Sequence, residues 1–352
     1  MKSRLQFSGP ARYRAKSAAT LCRATAEVCL RRLLHGPQCA SWNLAFELGT
    51  EVMRRQLLTA FEMPDVNDAR SYLDSIAIHS SALAEVSVTE VIQESFKASW
   101  FIPRDLDPTI TLLYLHGGGY SFYPRSLYSN LAAMIALSAQ SRVLTLDYRL
   151  SPEHKFPAQL TDATNAYRWL LSQRLVDISQ GVNPQQLVVI GDSAGGNLTL
   201  ALLLSLRDSE LPLPALAVCL SPATDFEGSG VGAPASSPYD WITQPMAMQW
   251  ADWFCTPQQR SDPLVSPLNA DLRGLPPVYI QAGGSEILLA SIQLFAERAR
   301  EQGVDVVLET WPSMNHDFQA FGYDVPQSAE AIQRIGQVIA ARIPRTKQPI
   351  AI

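Results

Sequence analysis

Short runs of apolar residues recur along the middle of the chain, bounded by turn-forming residues and without clean alternation between apolar and polar positions. They are Ile110–Leu115, Arg142–Leu146, Gln186–Ile190, Ala215–Leu220, Val278–Gln281 and Asp305–Glu309. Runs of this length, several rich in Val, Ile and Leu, predict strands buried on both faces, as in a parallel sheet covered by helices. Between them the patterns turn helix-like, over Leu127–Ala139, Gln159–Gln173, Ala194–Leu206, Ser291–Gln302 and Ser328–Ala341. Strand and helix in alternation predict crossover units, hence an α/β fold built on a mostly parallel, doubly wound sheet with helices on both faces. Ahead of it, Ala84–Val91 and Phe96–Ile102 predict an antiparallel pair at the sheet edge.

Two stretches fall outside this rhythm. The first runs to about residue 80 and is mostly helical in pattern; the second, Asp225–Pro267, is dense in Pro and Trp. Both are candidates for a cap over a site on one domain spanning residues 1–352, rather than for separate domains. The chain shows neither an internal repeat nor a low-complexity linker. At 352 residues and 47% hydrophobic it can bury a sizeable core and is far too apolar for a disordered chain.

Charge and cysteine usage narrow the class. A formal net charge of -5 argues against a general nucleic-acid binder. Five cysteines, at positions 22, 29, 39, 219 and 255, form no CxxC pair. An odd count without that spacing points to neither a disulfide framework nor a zinc site, and predicts a reduced, cytoplasmic setting. Residues 1–26 carry Lys2, Arg4, Arg12, Arg14, Lys16 and Arg23 and no acid. That reads as a basic N-terminal helix, or as an organelle transit peptide if the source is eukaryotic. No run approaches the roughly 18 apolar residues of a membrane span.

The chemistry is concentrated in four places. Gly191-Asp192-Ser193-Ala194-Gly195 matches G-x-S-x-G, directly after the apolar run Leu187–Ile190 and before a helical pattern. That context is what a nucleophile turn requires, lifting the serine hydroxyl out of the sheet and placing it at a helix N-terminus. His116-Gly117-Gly118-Gly119-Tyr120 follows the strand ending at Leu115. Its glycines leave amide hydrogens open to an anion, so Gly118 and Gly119, with the amide of Ala194, are candidate oxyanion donors. A serine hydroxyl needs a base. Of the five histidines only His316, in Trp311-Pro-Ser-Met-Asn-His316-Asp-Phe318, follows the last predicted strand and can reach back over the sheet. The orienting acid should follow the strand Val278–Gln281, where Glu286 is the only acid between Asp271 and Glu297. Asp262 and Asp317 compete for that role.

With these residues in hand, the sequence resembles the hormone-sensitive lipase-like family of α/β-hydrolases over roughly residues 85 to 345. The resemblance is carried by His116–Tyr120, Asp147–His154 with Phe156-Pro157-Ala158, Gly191–Gly196, Asp262–Pro267 and the His316 loop. It implies an α/β-hydrolase fold with a helical cap, a serine esterase, and a brace at Asp147–Ala158 that is not catalytic. This family often carries aspartate as its acid; Glu286 occupies that place, and Ala290 and Ser291 stand where the family's further acids usually follow. Leu34–Gln38 and Ser41–Glu47 look similar to a branch with bacterial acetyl hydrolases and monoterpene lactone hydrolases. The family's edge strand and final helix can support homodimers.

The expected reaction is a two-step acyl transfer on a small-molecule ester or lactone, without metal or organic cofactor, losing activity below about pH 6 to 7 as the base is protonated. Trp241, Trp250, Trp253 and Phe254 either line an apolar pocket or pack the cap onto the core. Tyr120, Tyr123 and Phe318 neighbour the catalytic loops in sequence and are candidate substrate contacts. Lactone opening, amide cleavage and deacetylation use the same constellation. A ligand-binding protein on a hydrolase fold, like the gibberellin receptors that resemble this family, is the reading from another class.

Overall fold

The computed structural model describes residues 4–104, 109–122, 125–172, 182–228 and 239–344. In chain order the elements are β1 (Arg4–Phe7), α1 (Ala11–His35), α2 (Leu44–Phe61), α3 (Val66–Leu73), β2 (Ile76–His79), β3 (Val86–Ile92) and β4 (Lys97–Pro103). Then follow β5 (Thr111–Leu115), α4 (Arg125–Ala139), β6 (Arg142–Asp147), α5 (Ala158–Ser172), β7 (Leu187–Asp192) and α6 (Ala194–Asp208). The last are β8 (Leu216–Leu220), α7 (Gln244–Phe254), β9 (Val278–Gly283), α8 (Leu289–Glu301), β10 (Val306–Trp311) and α9 (Pro326–Arg342).

Eight strands form one sheet in the order β10-β9-β8-β7-β5-β6-β4-β3. β4 runs antiparallel to both β3 and β6, and the remaining neighbours are parallel. Every residue of β5, β7, β8 and β9 is buried. The reason lies in the two-residue period of a strand. Val188 and Ile190 of β7 pack with α4 and α9, whereas Leu187 and Val189 pack with α5 and α6 on the opposite face. Both faces being apolar, the sequence cannot alternate, which is the pattern that predicted the sheet.

The elements depart from expectation in three places. The final strand extends to Trp311, because its parallel pairing with β9 continues to Gly283. A helix, α7, forms within the Pro- and Trp-rich segment. β1 and β2 pair antiparallel, Arg4 opposite His79, in a small separate sheet. Two four-residue strands so distant in sequence carry no local signal. Among the described residues, no helix is long and apolar enough to cross a membrane, and the five cysteines are free.

The N-terminal helices are joined by a buried charge. The Glu47 carboxylate of α2 has no solvent exposure and accepts from Arg31, at 2.6 Å, and from Arg32, both on α1. The Gln38 amide adds a third donor at 3.2 Å. A buried carboxylate is tolerated only with such partners. Glu47→Ala should lower stability by about 1–3 kcal/mol and expose α1 to limited proteolysis, measured as a thermal shift and as the first cleavage site.

Candidate active site

β7 delivers Ser193 to the carboxyl end of the sheet, in a backbone conformation that few non-glycine residues adopt (φ 53°, ψ -117°). Such a turn is strained by roughly 1–3 kcal/mol and persists only where its surroundings over-determine it. Here they do. The Ser193 amide donates to Leu220 O at 2.8 Å, and its carbonyl accepts from Asn197 and Ala223 at 3.0 and 3.1 Å. At Gly195 a Cβ would stand 1.9 Å from Leu115 O, so a side chain there would prise the serine turn from β5.

His316 arrives from the loop after β10. Its Nε2 lies 2.8 Å from Ser193 Oγ, and its Nδ1 lies 3.6 Å from Glu286 Oε2. Glu286 sits in the turn after β9, where Oε2 accepts from Ser221 Oγ at 2.6 Å and from the Gly283 amide at 3.2 Å. Asp317 is also close, but its Oδ2 meets Nε2, at 3.1 Å, on the serine side of the ring. An acid that orients the imidazole toward the serine must face the other nitrogen, which is where Glu286 stands. The third acid considered, Asp262, accepts the Leu264 amide at 2.8 Å in a separate turn.

Residues 112–320 match a family of proteins defined by the α/β hydrolase fold. The chain is an α/β hydrolase. It is similar to an acetyl-hydrolase from Streptomyces hygroscopicus, 35% identical over 240 residues, which is 68% of this chain and 78% of that protein. The crystal structure of an esterase/lipase from an uncultured bacterium superposes with a TM-score of 0.77 at 30% identity, covering 86% of this chain and 100% of that one. That of an esterase from the bacterial hormone-sensitive lipase family gives 0.71 at 32% identity, covering 92% and 98%. The hormone-sensitive lipase-like resemblance read from the motifs therefore holds.

This α/β hydrolase keeps an apolar cavity of about 420 Å³ above Ser193. Gly118, Gly119, His316 and Asp317 line its floor, with α2 residues Leu48, Val52 and Leu57, and Trp241, Ile242 and Trp250, among its walls. Gly118 and Gly119 both have positive φ, and Ala194 opens α6 beside the serine. Asp192 ties the glycine loop to β7, accepting from Tyr114 Oη at 2.6 Å and the Gly117 amide at 3.1 Å.

Two of the aromatic residues expected at the substrate lie elsewhere. Tyr120 is buried, stacked on Phe254 with ring centroids 3.9 Å apart, and its hydroxyl donates to Asn197 at 2.6 Å. Its φ of 61° turns it from the cavity into the core. Phe318 is fully buried with Trp42, Phe46 and Met314. Tyr123 lies outside the described residues. Trp253 and Phe254 pack in core clusters, and only Trp241 and Trp250 of the four cap aromatics reach the cavity wall.

Two groups went unread in the sequence. Ser221 donates to Glu286 and accepts the Asp317 amide at 3.2 Å, bridging two acid-bearing loops. Asp240 accepts the His316 amide at 3.2 Å through Oδ1 and the Ile287 amide at 2.8 Å through Oδ2. The neighbouring Trp241 indole donates to the His316 carbonyl. Nothing in the local spacing marks either residue; the Asp-Trp pair inside the Trp-rich segment is the nearest sequence signal. α2 and the turn before it hold the same histidine loop from outside. Trp42 Nε1 donates to Ser313 O at 2.8 Å, and Asn315 donates to Thr50 Oγ1 at 2.8 Å.

Burial alone would lower the His316 pKa, but the Asp317 and Glu286 carboxylates outweigh it and hold it well above the ordinary histidine value. Burial raises the Glu286 pKa, against the His316 and Ser221 contacts that lower it. At His116 burial dominates and pushes the pKa down to about 3, against the Gly117 carbonyl, which raises it. His316 should therefore keep its proton to a pH above the ordinary value of about 6.5, while His116 stays neutral across the physiological range. Nitrogen-detected NMR titration checks both, and Asp317→Asn should move the His316 midpoint down. A wild-type His316 midpoint at or below that value contradicts the two-carboxylate environment.

Proposed function

We propose that the chain is a serine esterase cleaving carboxylic esters of short to medium acyl chain, with Ser193 as nucleophile, His316 as general base and Glu286 as orienting acid. The observation that carries this reading is the 2.8 Å contact between Ser193 Oγ and His316 Nε2, with Glu286 facing the other ring nitrogen. The names of the similar proteins, an acetyl-hydrolase and esterases, support the same class.

In this reading Ser193 Oγ attacks the ester carbonyl carbon as its proton passes to His316 Nε2. The carbonyl π pair moves onto oxygen, and the oxyanion is met by the amides of Gly118, Gly119 and Ala194. Collapse breaks the bond to the alcohol oxygen, which takes the proton from Nε2 and leaves. Water, deprotonated by the same nitrogen, then attacks the acyl-enzyme, and Ser193 regains its proton as the carboxylic acid departs. Glu286 holds the tautomer with Nδ1–H and stabilises the transient imidazolium. Asp240 and Trp241 fix the His316 backbone. α1–α3 and the segment around α7 act as a cap, shaping an apolar cavity of about 420 Å³, within the usual range of small-molecule sites.

Purified protein should hydrolyse p-nitrophenyl butyrate and octanoate faster than palmitate. Ser193→Ala should lower kcat/KM by roughly 10⁴-fold or more, and Glu286→Gln by about 10³- to 10⁴-fold. A folded wild type inactive on every ester would sink the esterase reading. Because only the neutral imidazole accepts a proton, kcat/KM should fall as pH drops through the raised His316 pKa, so the acid limb lies above about 6.5.

Trp241→Phe keeps the ring and removes the donor to His316. It should cut kcat about fivefold to tenfold with KM within about twofold, consistent with one lost hydrogen bond. A raised KM with unchanged kcat would assign Trp241 to substrate binding instead.

A further inference from the structure

The first 46 residues hold eight Lys and Arg and a single acid, Glu27, in a chain whose formal net charge is -5. Cations gathered at one end of an otherwise acidic chain point to a partner surface of negative charge. Six of them lie on α1. Arg31 and Arg32 are taken up by Glu47, Arg12 meets Asp68 at 3.0 Å, and Glu27 itself is held by Arg55. Arg14, Lys16 and Arg23 are exposed and form no ion pair among the described residues, although Lys16 rests over the Tyr72 ring at 5.4 Å.

The same helix ends in apolar side chains turned to water. Leu30, Leu33 and Leu34 are 56%, 82% and 62% exposed. Tyr13, Ser17, Ala24 and Val28, on the opposite side of α1, are buried against the rest of the cap. At 3.6 residues per turn, Lys16, Arg23 and the three leucines fall on the half of the helix facing away from those buried residues. Between them stand only short exposed side chains, Ala19, Cys22 and Ala26, so a flat surface can approach closely. Three large apolar groups within five residues give up free energy in water that burial would return.

Charge and apolarity together select what covers this face. A nucleic acid would meet the cations and leave the leucines in water. A second copy of the chain would cover the leucines but bring like charges on two α1 helices together. A bilayer containing anionic lipid answers both, with headgroup phosphates for the cations and the acyl boundary for the leucines.

We propose that α1 docks the protein on anionic phospholipid bilayers, lying along the interface with Leu30, Leu33 and Leu34 inserted and Lys16 and Arg23 at the headgroups. The attachment is peripheral: among the described residues no helix is long and apolar enough to cross a membrane. α1 packs on α2, whose residues wall the cavity, so the docked face belongs to the cap. The docking is independent of whatever chemistry Ser193 and His316 perform.

The test is co-sedimentation of the full chain with large vesicles of phosphatidylcholine alone and of an equimolar mixture with phosphatidylglycerol. The wild type should bind the mixed vesicles at least about tenfold more tightly, and lose that advantage in high salt, which screens surface charge. Lys16→Ala combined with Arg23→Ala should weaken binding about 25-fold, roughly fivefold for each cation near an anionic surface. Leu33→Ser combined with Leu34→Ser should weaken it about tenfold or more on the same vesicles. All four side chains are exposed, so both variants should keep the wild-type circular dichroism and thermal midpoint, which separates lost docking from lost fold. No binding to the mixed vesicles, equal binding to both kinds, or binding unmoved in either folded variant overturns the proposal. So does a concentration-dependent dimer in sedimentation velocity that the leucine variant disperses while neither vesicle is bound, because a second copy then covers this face.

Discussion

The turn at Ser193 constrains everything around it. A residue with φ 53° cannot hold itself there; it is pinned by Leu220 O on one side and by the amides of Asn197 and Ala223 on the other. Those partners come from β8, α6 and the loop after β8, so the turn exists only once the centre of the sheet and its covering helix are in register. The same closeness, with Gly195 against Leu115, puts the end of β5 and its glycine loop beside the serine. Bringing a hydroxyl and open amides to one point is thus a by-product of packing two neighbouring parallel strands against one helix.

Around this turn the molecule gathers buried carboxylates. Asp192, Asp240, Glu286 and Asp317 are each no more than 7% exposed. They are tolerated because each is met by donors or by the imidazole, and their arrangement is asymmetric. Glu286 stands at Nδ1, Asp317 at Nε2, and Asp240 accepts the backbone amide of the same histidine. Charge alone would let either neighbour pair with the ring. It is the side of the ring that tells them apart, Glu286 away from Ser193 and Asp317 on the serine side.

The sheet was legible because strands buried on both faces cannot hide their apolar runs. That Ser193, His316 and Glu286 would meet was legible because each follows a strand at the carboxyl edge, and the fold brings those edges together. Side-chain direction was not legible. Tyr120 and Phe318 neighbour the glycine and histidine loops in sequence, yet a positive φ at one and a surrounding aromatic cluster at the other turn both into the core. Ser221 and Asp240 escaped notice because what matters in them is a bond to a loop tens of residues away. The β1–β2 pair escaped for the same reason.

Consider, finally, the order in which the chain leaves a ribosome. Trp42 and Thr50 are made early, whereas Ser313 and Asn315, which they hold, are made more than 260 residues later. The serine turn can form once its strands and helix are complete, and domains acquire structure as synthesis proceeds. The histidine loop cannot settle until its early-made supports and its own late-made residues coexist. A truncated translation product would thus carry a shaped serine turn without the imidazole beside it, and the contact of Ser193 with His316 would form only as the chain nears completion.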